Sequence, residues 1–185
     1  GASRLLIELV LRRRTRSSPG VEVHERADVV GLLGDLHRIT GVRVRAGGVE
    51  TDVAADLVVD ASGRAAVGLR RLLELGLPEP ATTVVDAHWG YASRFLRLAP
   101  GAAPPVVGGF PLGTAGEGPP RTRGGFLLLQ ENDTWLVTLS GCAKDLPPAD
   151  DDGFAAFART LAFDHIGEVL AQAEPLSPIR VWRTT

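Results

Sequence analysis

The sequence predicts a mixed α/β chain, α+β in its local order, with residues 1–80 and 81–185 forming two regions. Three observations carry that reading. Apolar and polar residues alternate at period two on both sides of Gly47-Gly48, the pattern of a β-meander closed by a tight turn. The run Leu57-Val58-Val59 is continuously apolar and ends on Asp60, as in a parallel-sheet strand buried on both faces. Apolar segments flank Asn132-Asp133 with hairpin character and are followed by two amphipathic helical patterns. The expected architecture is therefore part of a parallel sheet with a β-meander, joined to an antiparallel sheet with flanking helices. At 185 residues, 44% hydrophobic and 23% charged, the chain has the balance of a folded globular protein.

Taken in order, Ser3 is placed to cap a helix whose residues 5–11 are apolar on nearly every face, with Arg12, Arg13 and Arg14 at its negative end. Such a helix calls for burial all round. After Ser17-Ser18-Pro19-Gly20, Val21-x-Val23 reads as a short strand, and residues 29–53 read as a three-stranded meander. Leu69, Leu72 and Leu73 mark a helix stopped by Gly76 and Pro78. Residues 82–98 read as one long strand, with Val85, Ala87, Trp89, Tyr91 and Phe95 on one face and Asp86, His88 and Arg94 on the other. Residues 99–125, rich in Gly and Pro, read as loop. Residues 126–129 and 135–139 form the hairpin. Phe154, Phe157, Ala158 and Leu161 share a helical stripe capped by Asp150 or Asp151, a second helix carries Ile166, Val169, Leu170 and Ala173, and residues 179–182 read as a last strand.

Composition excludes several classes. A net charge of −2 rules out a strongly basic nucleic-acid binder, and no apolar run approaches the length of a membrane span. Cys142 is the sole cysteine, so no internal disulfide forms, and the expected location is cytoplasmic. Methionine is absent and the chain opens Gly1-Ala2, from which an internal fragment is expected. No nucleophile elbow, Walker loop or zinc-protease helix is present, and His24, His37, His88 and His165 lie in separate segments without metal-ligand spacing. The glycines between Gly113 and Gly118 lack a preceding strand and read as plain loop.

Residues 55–64, Ala-Asp-Leu-Val-Val-Asp-Ala-Ser-Gly-Arg, are different. Here an apolar segment delivers a small glycine-containing turn directly into a helix, which lets backbone N–H groups approach a phosphate or a ribityl chain. This segment resembles the second flavin motif of the FAD-dependent aromatic-ring monooxygenase and halogenase-like superfamily. Ser3-Arg4 with its helix resembles that family's flavin-contacting helix entry, and residues 21–53 resemble its inserted meander. Tyr91-Ala-Ser-Arg94 and residues 175–180 resemble pieces of its substrate-domain sheet.

The resemblance implies that residues 1–80 are a partial FAD-binding region and residues 81–185 a substrate-domain-like sheet. It implies cofactor contacts at Arg4, Val29, Ala61, Ser62, Gly63 and Arg64, and substrate contacts at Tyr91 and Arg94. The parent would be an FAD-dependent oxidoreductase that activates O₂ and acts on an organic small molecule, with no nucleic-acid or membrane partner. Two departures stand out: Ala66 replaces the motif's serine, and neither the G-x-G-x-x-G opening nor the later G-D motif is present. FAD is therefore expected in the intact parent and not in this chain, which is expected to form homo-oligomers through exposed edges. The alternative reading is a non-catalytic α+β module, in which residues 82–98 and 126–140 form a sheet cupping an apolar ligand.

Overall fold

The computed structural model describes residues 1–65, 67–102, 122–161 and 165–183. The chain divides into two compact units, residues 13–83 and residues 1–12 with 84–185. Helix α1 (Arg4–Arg16) runs across that division. Its N-cap is Ser3, whose Oγ accepts the Leu6 N–H at 3.1 Å while its carbonyl accepts from Ile7 at 3.0 Å. Arg13, Arg14 and Arg16 occupy the last turn. The expected burial is not found: no α1 residue is buried, and Leu5 is 74% exposed. The helix is held by its cap and backbone, and its apolar faces meet no covering surface among the described residues.

In the unit of residues 13–83, β1 (Ala27–Gly34), β2 (Ile39–Ala46) and β3 (Val49–Ala54) form an antiparallel meander in that order. Ala46 faces Val49 across a two-residue turn in which Gly47 and Gly48 both take positive φ, 58° and 83°, values that a side chain would strain. On one face Arg43 forks onto Asp52 at 2.7 and 3.0 Å, and Arg45 pairs with Glu50. Helix α2 (Val67–Glu74) ends at Gly76, where Gly76 N–H reaches Leu73 O at 2.9 Å and Leu77 N–H reaches Leu72 O at 3.2 Å. These two bonds are a Schellman stop, and the Gly76 φ of 91° permits them.

Two expected strands are absent. Residues 21–24 and residues 57–60 are coil, with Leu57 78% and Val59 77% exposed. An extended segment becomes a strand only where a neighbour takes its N–H and C=O groups, and no described residue does so here. Every strand pair among the described residues is antiparallel, so the parallel sheet is not seen.

In the other unit, β4 (Gly90–Arg97), β5 (Arg123–Leu129), β6 (Thr134–Gly141), β7 (Glu174–Pro175) and β8 (Arg180–Arg183) make one sheet. Its order is β5-β6-β4, with β7 and β8 along the far edge of β4. Ala92, Leu96, Leu127, Val137 and Leu139 are buried on one face beneath α3 (Asp151–Arg159) and α4 (His165–Gln172), which contribute Phe154, Phe157 and Ile166 to the core. Asp150 caps α3, its carboxylate accepting the Gly153 N–H at 2.7 Å. Gly125 lies where the helical layer approaches the sheet closely: a Cβ there would stand 2.9 Å from Leu161 Cδ1 and 3.1 Å from Ile166 Cδ1, so those side chains would have to shift.

The long strand expected over residues 82–98 starts only at Gly90. Upstream, Asp86 Oδ1 accepts the His88 N–H at 2.7 Å and His88 takes φ 45°, a turn that breaks extension. The apolar face is also reversed: Ala92 and Leu96 enter the core, while Tyr91 and Phe95 point outward. β5 begins at Arg123, so residues 123–125 belong to strand and not loop. The expected loop glycines 113–118 lie outside the described residues.

Arg123 ties the hairpin to the helical layer. Its Nε and Nη2 each lie 2.7 Å from Asp145, Nη1 donates to Thr160 Oγ1 at 2.7 Å, and the guanidinium sits 4.4 Å from the Phe157 ring centre. The Arg123 hydrogen bond, helped by Thr122 Oγ1, holds the Asp145 carboxyl below its usual range. A depressed folded-state pKa stabilises above the unfolded value and loses that contribution as pH falls through the folded value. The melting temperature should therefore fall with acidification below about pH 4. Asp145→Asn should flatten that decline and cost on the order of 1 kcal/mol at neutral pH, a small figure because the pair is partly exposed. Thermal melts of both proteins from pH 7 to 3 test this; identical acid slopes would remove Asp145 as their source.

Candidate functional site

The turn after residues 57–60 is organised by one carboxylate. Asp60 Oδ1 accepts the Ser62 N–H at 2.8 Å and Oδ2 accepts the Gly68 N–H at 2.9 Å, while Ser62 Oγ accepts the Val67 N–H at 3.2 Å. The Ser62 backbone N–H first, then its side chain and the Gly68 N–H, hold the Asp60 carboxyl below the usual range. Gly68 is required: a Cβ there would fall 2.3 Å from Asp60 Oδ2. Gly63 takes φ 66° inside the short 3₁₀ turn Gly63–Ala65 that also contains Arg64, and nothing lies within 4 Å of its Cβ position. The turn is thus open to close approach at Gly63.

Its electrostatics select what can approach. At the start of α2, where a phosphate would bind, Asp60 already occupies the Gly68 N–H and Ser62 Oγ the Val67 N–H, and the Asp60 charge opposes a second anion there. A carboxylate has about four acceptor sites, so Asp60 retains capacity for hydroxyl donors. The arrangement fits a hydroxyl-bearing chain such as a ribityl group better than a pyrophosphate.

A second surface is the outer face of the five-stranded sheet. Tyr91, Ser93 and Phe95 of β4 lie opposite Trp182 and Arg180 of β8 on one side and Ser140, Thr138 and Leu136 of β6 on the other. Ser93 Oγ and Thr138 Oγ1 share a hydrogen bond at 2.7 Å in the middle of this face. Ser3 joins the far end of the hairpin, its N–H 2.8 Å from Glu131 Oε2 and its hydroxyl bonded to Glu131 Oε1. A third surface is an apolar trough of about 730 Å³ on the meander, lined by Val29, Val42, Val44, Val49 and Val53 with His24 and Glu25.

The expected cofactor residues fall into different places. Ala61, Ser62, Gly63 and Arg64 share the turn, and Val29 lines the trough of the same unit. Arg4 belongs to the other unit, is bound by Glu8 at 2.8 Å, and has its pKa raised mainly by that bond. Ala66 lies outside the described residues. Tyr91 is on the outer face, 39% exposed. Arg94, expected as a substrate residue on the face opposite Tyr91, is on that opposite face, but the face is the core side: Nη1 donates to Asp151 Oδ1 at 2.7 Å, Nη2 donates to Ser177 O at 3.2 Å, and the side chain is 12% exposed. Arg180, Trp182 and the Ser93–Thr138 pair were not singled out by sequence. Alternation along residues 179–182 was their available signal.

No family model matches the chain. It is 33% identical over 186 residues to Protein Rv3254 of Mycobacterium tuberculosis, an alignment covering 94% of this chain and 37% of that protein. The flavin-dependent brominase Bmp2 superposes on 98% of this chain with a TM-score of 0.68 at 16% identity, the match spanning 44% of the brominase. The fold of this chain is similar to part of that of Bmp2. A flavoprotein/dehydrogenase from Cytophaga hutchinsonii matches 97% of this chain at a TM-score of 0.56 and 15% identity, over 40% of its own length. The chain thus spans less than half of each of these three proteins.

The role of Asp60 in shaping the turn gives a direct expectation. Asp60→Ala should speed amide hydrogen exchange at Ser62 and Gly68 at least several-fold while leaving β6 amides unchanged, since two N–H groups lose their acceptor. Exchange measured by NMR checks it, and unchanged rates at both amides would mean that the turn holds its shape without the carboxylate.

Proposed function

We propose that this chain is a section of a longer FAD-dependent oxidoreductase acting on an organic small molecule, and that the outer face of the five-stranded sheet is one wall of its substrate site. The observation that carries this reading is the fit of nearly the whole chain to the backbone of a flavin-dependent brominase. The open, carboxylate-organised turn after residues 57–60 supports it, because a hydroxyl-bearing cofactor chain finds acceptors there. When bound, a flavin would supply the redox chemistry and the activation of O₂.

The residues of this chain would then bind and shield. Asp60 would accept from cofactor hydroxyls, and Gly63 would let the backbone approach closely. Arg4, exchanged from Glu8, would present its donor fork to phosphate oxygens. Tyr91, Phe95 and Trp182 would offer planar apolar contact that excludes water from the reacting substrate. Arg94 would act from behind the sheet, holding α3 and the chain at Ser177 against β4.

The coding region upstream tests the proposal. It should encode G-x-G-x-x-G within one βαβ unit, and the protein made with that region should retain flavin through gel filtration, whereas the 185-residue chain alone should bind FAD weakly. An upstream region without the motif would favour the second reading, an apolar-ligand module, with the ligand in the valine-lined trough of the meander and not on the sheet of residues 82–98 and 126–140.

Self-association of the isolated chain is part of the same proposal. The apolar faces of α1 and the unpaired residues 57–59 are open, and such surfaces pair with further copies. Light scattering across a dilution series should show dimers or larger species; a monodisperse monomer throughout would count against it.

A further inference from the structure

We propose that Glu131 is a positioning residue, which fixes the entry of α1, and with it Arg4, to the sheet that carries the substrate wall. This rests on the reading of Arg4 as a cofactor contact and of the outer sheet face as a substrate wall, and it adds the residue that holds the two together.

A helix that begins on serine can complete its cap locally. The serine oxygen takes the N–H of the third helical residue, and a Glu or Gln at that position reaches back to the serine's own N–H. α1 makes the first half of this arrangement, Ser3 Oγ accepting from Leu6 at 3.1 Å. It cannot make the second, because the third helical residue is Leu6, which has no acceptor. Glu131 supplies one from 128 residues away: its Oε2 lies 2.8 Å from the Ser3 nitrogen and its Oε1 takes the Ser3 hydroxyl. Ser3 is 8% exposed at this junction. The Ser3 hydroxyl first, and then the Ser3 N–H, hold the Glu131 carboxyl below its usual range, so the group is ionised at neutral pH, the charge that suits a helix start. A cap completed in this way closes only when α1 stands on the hairpin.

Glu131 is itself held firmly. It opens the short 3₁₀ turn Glu131–Asp133, in which Asn132 and Asp133 take φ 57° and 52°. Gln130 N–H donates to Thr134 O at 2.8 Å and the Thr134 N–H donates to Glu131 O, which closes the turn onto β6. β6 is an interior strand and carries Thr138 and Ser140 of the wall. The Gly1 backbone lies against the Leu129 carbonyl, near enough that a Cβ there would collide with its oxygen. Arg4 follows Ser3 directly, its guanidinium turned to Glu8 at 2.8 Å and its side chain 91% exposed. Glu131 thus sets where the Arg4 backbone stands and leaves the donor fork free to exchange Glu8 for phosphate oxygens.

NMR of the 185-residue chain and the FAD affinity of the protein made with the upstream region test this. In the chain alone, Glu131→Ala should speed exchange of the Ser3 amide at least about tenfold and remove the nuclear Overhauser contacts between residues 1–4 and 129–132. Glu131→Gln should keep both, since its amide accepts from the Ser3 N–H and donates to the hydroxyl. Adding Leu6→Glu to Glu131→Ala gives α1 a local cap: exchange at Ser3 should slow again while the contacts stay lost. In the longer protein FAD affinity should follow the contacts and not the cap. It should fall at least about fivefold in Glu131→Ala, stay low with Leu6→Glu added, and match the unmodified protein in Glu131→Gln. Contacts that survive in Glu131→Ala, or an FAD affinity unchanged in Glu131→Ala or restored by Leu6→Glu, would each overturn the proposal. A longer protein that retains no flavin with Glu131 in place would end the flavin reading instead, and the contacts in the chain alone would still decide whether Glu131 holds the entry of α1.

Discussion

Burial of one face of the five-stranded sheet governs the rest of the molecule's chemistry. Side chains on a strand alternate, so once Ala92 and Leu96 pack beneath Phe154 and Phe157, Tyr91, Ser93 and Phe95 are committed to the other face. The same commitment passes through the register to Thr138 and Ser140 on β6 and to Arg180 and Trp182 on β8. The outer face is therefore a by-product of the core, and its composition is readable only after the core face is known.

That dependence explains how much the sequence disclosed. The meander was legible because Gly47-Gly48 allows one kind of turn and the alternation around it has one consistent phase. The hairpin, α3 with its Asp150 cap, and α4 were legible for similar local reasons. The face of β4 was not. Tyr91 and Phe95 are larger and more apolar than Ala92, so periodicity alone pointed them inward, yet the small Ala92 is what lets the helical layer close on the sheet. Arg94 was assigned to the other, polar face, which turns out to be the core side, and its ties to Asp151 and Ser177 come from residues far along the chain. Asp60 was recognised as the end of an apolar run, but its bonds to Ser62 and Gly68 depend on a fold-back that composition does not announce.

The unit of residues 13–83 and the helix before it have an opposite character. Their hydrogen bonding is orderly, with a capped α1, a forked Arg43–Asp52 pair and a Schellman stop after α2. Their apolar surface is nevertheless open along α1, in the valine-lined trough and at Leu57 and Val59. Backbone order and apolar burial are separable here: local bonds define the shapes, while the apolar side chains beside them stay exposed.

Between Leu96 and Ser93 β4 moves three positions, while the edge facing it moves five, from Pro175 to Arg180, and this two-residue bulge constrains how the segment can vary in length. Removing or adding two residues there would exchange which side chain meets Ser93 yet leave each on its present side of the sheet. A single-residue insertion or deletion would do something else, turning Arg180 and Trp182 toward the helices and bringing Val181 to the outer face. With the bulge kept at two residues, a length change of one reverses the facing of β8 and a length change of two preserves it.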